Sequence, residues 1–120
     1  MWGELAESGS TAVVGAMGTD AWQGARARVS RLFGRGRPIR QARYEAQLDD
    51  NAAQVAHSDH PDEVRESLVA VWRVELQALL HRHPDAAEEL RALVTALQQA
   101  LPAAQQAWVR DHLAQQQSYH

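Results

Sequence analysis

At 120 residues the chain has the size of one domain, which buries about two-thirds of its unfolded surface. It has no cysteine, which excludes a disulfide framework, a thiolate nucleophile and a cysteine-ligated metal, and suits the reducing cytoplasm where we expect it. The net charge of −3 is uneven: residues 26–43 carry +7 from seven arginines and no acid, against −3 over residues 1–25 and −7 over residues 44–120.

The chain opens with MWGELAES, which has neither a basic n-region nor a long apolar run and so reads as neither a signal peptide nor a membrane span. Residues 1–9 are expected to be a flexible N-terminus, anchored only by Trp2 and Leu5. A single helical domain over residues 10–117 follows, with residues 118–120 as a tail. Ser10 or Thr11 is placed to cap a helix reaching about Phe33, with Val13, Met17, Ala21, Ala25, Val29, Leu32 and Phe33 on one face and Trp22 beside it. Gly15, Gly18 and Gly24 weaken that helix by up to about 1 kcal/mol each relative to alanine. Their tolerance has two readings. One is close approach of another backbone, with Gly15, Met17, Gly18 and Ala21 as a self-association face; the other is drift in a helix held by its other contacts.

Gly34, Gly36 and Pro38 break the helix and leave GRGRP as a loop. A more polar helix over residues 39–57 follows, with Ile39, Ala42 or Arg43, Ala46, Leu48, Ala52 and Val55 as inward candidates. After the turn SDHP, the stretch PDEVRESLVAVWRVELQALLH from Pro61 carries the clearest helical signal. Val64, Leu68, Val71, Trp72, Leu76, Leu79 and Leu80 recur at steps of three and four. Pro61 with Asp62 and Glu63 suits a helix start, and His81 and Arg82 before Pro84 suit its end. Beyond Pro84, Leu90, Leu93, Val94, Leu97 and Leu101 form another stripe, Pro102 interrupts it, and a last helix carries Ala107, Trp108, Val109 and Leu113. No segment alternates as a strand does. The pattern predicts an all-α fold, an up-and-down bundle of four or five helices, with the alternative that the first two helices form a hairpin whose core is completed in a dimer.

Chemistry has little foothold. His57 and His60 precede the central helix while His81 and His83 end it, about 30 Å away at 1.5 Å per residue. His112, on a returning helix, is within reach of His81 or His83, but the spacing matches no zinc pattern. No nucleophile elbow, P-loop or dinucleotide fingerprint is present, so no catalytic residue, metal or cofactor is expected. The strongest nonstructural feature is the island of Arg26, Arg28, Arg31, Arg35, Arg37, Arg40 and Arg43 beside Trp22 and Phe33. Guanidinium groups fork onto phosphate oxygens, yet the acidity of the chain as a whole argues against a dedicated nucleic-acid binder. The arginines serve equally to pair with acids of this chain or of a partner.

The runs TAVVGAMGTDAWQGARARVSRLFGRG, AQLDD, VWRVELQALLHRHPDAAEELRAL and LPAAQQ resemble a group of small actinobacterial proteins of unassigned function, over about residues 10–106. Members commonly continue into a polar Gly-Arg-Asp-Gln tail, which is missing at Ser118-Tyr119-His120. The resemblance implies a small helical module, similar to those encoded near signalling or anti-invader ATPase systems, that recruits partners by helix packing; it brings no catalytic residues. The expected function is therefore a non-enzymatic, self-associating interaction or adaptor module. Trp22 and Phe33 are its expected apolar anchors, and Arg35, Arg37 and Arg40 its charged contacts. Binding of an anionic surface, nucleic acid or lipid headgroups, through residues 26–43 is the alternative, and a small-ligand sensor is a weaker third.

Overall fold

Pro61 opens the longest helix as the sequence predicts. That helix, α4 (Pro61–Arg82), has proline in its first turn, Asp62 and Glu63 beside the unpaired amides, and His81 and Arg82 in its last turn. The computed structural model describes residues 2–118. The order along them is α1 (Gly3–Ala16), α2 (Trp22–Gly34), α3 (Pro38–Ala56), α4, α5 (Ala86–Ala100) and α6 (Ala103–Ser118), with no strand among the described residues. The fold is all-α. Residue 118 of the expected tail closes α6, and residues 119–120 lie outside the described residues.

The single helix expected over residues 10–33 is two helices. Gly18 takes φ +82°, a left-handed conformation that glycine adopts at no steric cost. Next to it the Thr19 hydroxyl donates to the Ala16 carbonyl at 2.7 Å and accepts from the Ala21 amide at 3.2 Å, so one side chain closes α1 and opens α2. Arg65 on α4 reinforces the closure by donating to the Met17 carbonyl at 3.2 Å. The spacing of Met17, Ala21 and Ala25 runs through this break, so periodicity alone joins the two helices. The split gives six helices among the described residues, where four or five are expected.

The first helix also starts earlier than expected. Residues 3–9, read as flexible, form the first turns of α1, and Ala6 and Gly9 are buried there. The reason is that α1 is the hub of the fold: every residue from Gly9 to Ala16 is buried, and α2, α4, α5 and α6 all pack on it. A helix enclosed on all sides has to be thin. A Cβ on Gly9 would lie 3.0 Å from Leu90 Cδ1 and 3.1 Å from Leu76 Cδ1, and one on Gly15 would lie 2.9 Å from Val109 Cγ2. The buried Ser10 and Thr11 hydroxyls donate to the Glu7 carbonyl at 3.1 and 2.7 Å, which satisfies them inside the helix.

Around this hub α4 buries Leu68, Val69, Trp72, Leu76, Leu79 and Leu80. Val71, expected in the stripe, is 46% exposed and Val69 takes its place. At 100° per residue Val69 stands about 60° from Trp72 on the side of Leu80, whereas Val71 stands about 100° away on the opposite side. On α3 only Leu48 and Val55 are fully buried. Ile39 is 80% exposed, and Ala42, Arg43 and Ala46 also face solvent. Tyr44, Leu48, Ala52 and Val55 make the true inner stripe, from which Ile39 is turned by about 140°.

Phe33, Tyr44 and Trp72 join α2, α3 and α4. Phe33 stacks on Tyr44 at 4.5 Å between ring centroids and meets Trp72 edge-on at 5.6 Å. The Trp72 indole N–H donates to Asn51 Oδ1 at 2.8 Å, as a buried indole requires. On α5 the expected Leu90, Leu93, Val94 and Leu97 are all buried, as is Leu101 just beyond it. Pro102 separates α5 from α6, and Gln106 Nε2 donates to the Leu101 carbonyl at 2.7 Å to close α5.

Candidate functional site

The seven arginines of the basic island separate into paired and unpaired sets. Arg26 forks onto Asp49 at 2.6 and 2.9 Å and has Glu45 at 3.5 Å, and this hydrogen bonding holds the Asp49 carboxyl below its ordinary range. Arg35 pairs with Asp85. It does so from a left-handed backbone, φ 49°, the only non-glycine residue with positive φ among the described residues. Arg28, Arg31, Arg37, Arg40 and Arg43 have no ion pair among the described residues. Nor do they form one stripe. Arg28 and Arg31 border a recess with Leu32 and Glu89. Arg37, Arg40 and Arg43 surround a different recess of about 420 Å³ at the start of α3.

The second recess leads into a third through Arg40 and Arg43, which line both. This third recess, of about 350 Å³, lies between α3 and the second half of α4, with Phe33, Tyr44 and Leu79 among its apolar residues and Arg82 and His83 at one end. Glu75 is its one carboxylate. Burial raises the Tyr44 phenol above its ordinary range, and the Glu75 carboxylate adds to the effect, so the recess presents a neutral hydroxyl among cations. Val74, on the same recess, is 60% exposed. Arg82, like the three arginines of α3, has no ion pair among the described residues.

Several residues expected at a docking surface are interior instead. Trp22 is 8% and Phe33 4% exposed. Both belong to the α2 stripe, and Phe33 is held in the aromatic junction, so neither is free to anchor a partner. Gly15 and Met17 are buried. The close approach that Gly15 permits is made by α6 of the same chain, through Val109 and Trp108. Gly18 is exposed, but it serves the turn, and Ala21 is partly buried at the start of α2. The proposed self-association face therefore does not exist as a free surface. Arg37 and Arg40 are exposed as expected, and Arg35 is occupied by Asp85.

The histidines go separate ways. His112 does not approach His81 or His83: it is buried against α1, stacked on Trp108 at 5.4 Å, with Nε2 at 3.4 Å from Glu7 Oε1. The other Glu7 oxygen pairs with Arg73 at 3.2 Å. His57 Nδ1 lies 3.0 Å from the Ala53 carbonyl of its own helix. Among the described residues no three His, Cys, Asp or Glu side chains come together as a metal would need, and no helix is long and apolar enough to cross a membrane.

Sequence reasoning missed Tyr44, Val74 and Arg82 at one recess and the outward Ile39 at the next, together with the exposed Val71 on the same flank of α4 as Val74. The available signal was angular: Val71, Val74, Ala78 and Arg82 recur at steps of three and four on the flank of α4 turned from its leucines. Comparison of the chain with protein-family models, with curated proteins and with solved structures found no match.

Proposed function

We propose that the protein is a non-enzymatic helical interaction module that recruits a protein partner through the surface shared by the start of α3 and the second half of α4. One observation carries the reading. Arg37, Arg40, Arg43 and Arg82 have no ion pair among the described residues, and the two recesses they line also carry the exposed Ile39 and Val74. Exposed apolar side chains among four unpaired guanidinium groups, with the single carboxylate of Glu75 beside them, are what a partner of opposite charge covers. The non-enzymatic part is supported by the hydroxyls: Ser10, Thr11, Thr19, Ser30, Ser67 and Thr95 each donate to a main-chain carbonyl one turn back, and none pairs with a histidine or carboxylate. The recruiting role implied by the resemblance to small actinobacterial helical proteins points the same way, and a cytoplasmic location belongs to the proposal.

Cross-linking in the native host, comparing the wild type with the triple variant Arg37→Glu, Arg40→Glu, Arg43→Glu, tests it. The expected result is an acidic protein captured by the wild type and lost from a variant that still folds. Equal capture by both would refute the reading. A second reading, anionic-surface binding, is favoured by the open recess bounded by Arg37, Arg40 and Arg43. Salt-sensitive retention of the wild type on nucleic acid or anionic vesicles, lost in the same variant, would select it.

A further inference from the structure

We infer that the surface between α3 and α4 is a groove for an acidic amphipathic helix of the partner, about three turns long; the inference rests on the interaction-module reading above. The groove sets the length. Val71, Val74, Ala78 and Arg82 lie along one flank of α4, a span of about 16 Å at 1.5 Å per residue. Within the 350 Å³ recess the apolar part on α4, Val74, Ala78 and Leu79, gives way at the end of the helix to Arg82, with Arg40 and Arg43 facing it from α3, and the exposed Val71 extends the same flank beyond the recess. The matching occupant carries apolar side chains along one face and carboxylates toward one end, where three guanidinium groups converge with only Glu75 against them.

The main chain of the groove decides between a helix and an extended segment. Both walls are helices whose amides and carbonyls are internally bonded, so they offer no sheet edge to pair with. An extended peptide over Val74, Ala78 and Leu79 would lay unpaired backbone groups on apolar side chains. A helix satisfies its own. The side chains also decide against phosphate polymers. Base stacking needs an open aromatic face, yet Phe33 and Trp72 are buried and Tyr44 is stacked on Phe33. A bilayer, being flat, leaves a concave recess unfilled.

Fluorescence anisotropy on the full chain tests the inference, using a labelled designed peptide of about 14 residues, ~21 Å as a helix. It has leucines at steps of three and four and glutamates on the flanks. Its controls are the same composition scrambled so that no face forms, and the glutamate-to-lysine version. The designed peptide should bind the wild type, and Val74→Glu and Arg40→Glu should each weaken binding at least about tenfold, as for residues near the centre of an interface. Both positions are exposed, and unchanged circular dichroism certifies the fold. The inference is overturned if the scrambled peptide binds equally, or if no peptide binds below about 100 μM, a weak affinity for such a groove. Binding of only single-stranded DNA or anionic vesicles also overturns it, as does a concentration-dependent dimer abolished by Val74→Glu, which would make a second copy the occupant. If the peptides fail while Arg40→Glu still loses a cross-linked cellular protein, this inference falls and the module reading stands. If that capture is also unchanged, both fall.

Discussion

Gly15→Ala and Gly24→Ala add the same methyl group to two helices, and the surroundings predict opposite signs. A Cβ at Gly24 meets nothing within 4 Å, so only helix propensity changes, about 0.5–1 kcal/mol in favour of alanine. At Gly15 the new carbon would stand 2.9 Å from Val109 Cγ2 and 3.5 Å from Trp108 Cε3. Val109 is β-branched and buried, so its side chain is stiff at χ1 and α6 itself must back away from α1. Such overpacking costs about 1–3 kcal/mol, from which the propensity gain of up to ~1 is subtracted. The net is a loss of about 1 kcal/mol at Gly15 against a gain of about half that or more at Gly24. For a domain of this size 1 kcal/mol moves Tm by about 4 °C, so the two variants should part by about 6 °C or more. Urea unfolding followed by far-UV circular dichroism, with the m-value checked for constancy, measures both. Equal shifts, or stabilisation at both positions, would mean that α6 does not press on α1 at Gly15. Partial rescue of Gly15→Ala by Val109→Ala would locate the clash.

Asn51→Ala leaves the Trp72 indole N–H, now bonded at 2.8 Å, without an acceptor and should cost about 1–3 kcal/mol in denaturant unfolding; added to Trp72→Phe, which removes the donor, it should cost clearly less. Asp49 is held below the ordinary carboxylate range by its hydrogen bonds from Arg26, so its contribution is fully present above about pH 4 and is lost as pH falls through the lowered folded value. Because the Asp49 side chain is 52% exposed, the wild type should exceed Asp49→Asn by less than about 1 kcal/mol near pH 6. The difference should vanish in strong acid, and an advantage that grows toward low pH would contradict the pairing.

The legible parts of the fold are those where one stripe meets one core. On α5 the leucines recur at steps that leave a single inward face, and on α4 the proline and acidic first turn mark the start whatever the packing. The hub escaped because its signal is inverted. From Gly9 to Ala16 α1 is buried all round, so it has no polar face to contrast with, and at Gly15, where the sequence left close approach and drift both open, the close contact is made by α6 of the same chain. The break at Gly18 escaped because the stripe resumes in phase after it. The candidate site was half legible. Charge alone picked out Arg37 and Arg40, but an apolar residue does not declare whether it lies under a neighbour. Trp22 and Phe33 were thus expected outside and Val71 and Ile39 inside, the reverse of what neighbouring helices impose.

The start of α3 shows why its arginines are better explained by a partner than by the fold. Pro38 occupies the first turn of the helix, yet that turn has no acidic residue, and Arg37 and Arg40 bring two cations to the end where the dipole is positive, with Arg43 one turn further in. Cations there are unfavourable by roughly 0.3–1 kcal/mol each, and like charges one turn apart add a few tenths more. By contrast α4 and α5 both place two acids in their first turns and α1 one, α2 and α6 are neutral there, and among the described helices α3 is the one with an arginine in its first turn. Such local conflict is characteristic of surfaces kept for function at the expense of stability. Arg40→Glu should therefore raise the stability of the free protein by about 0.5–1 kcal/mol, read as a higher Tm at low ionic strength that fades with added salt, while partner capture is lost. An Arg40→Glu protein less stable than the wild type would mean that Arg40 makes a stabilising contact within the chain, and the surface would then belong to the fold and not to a partner.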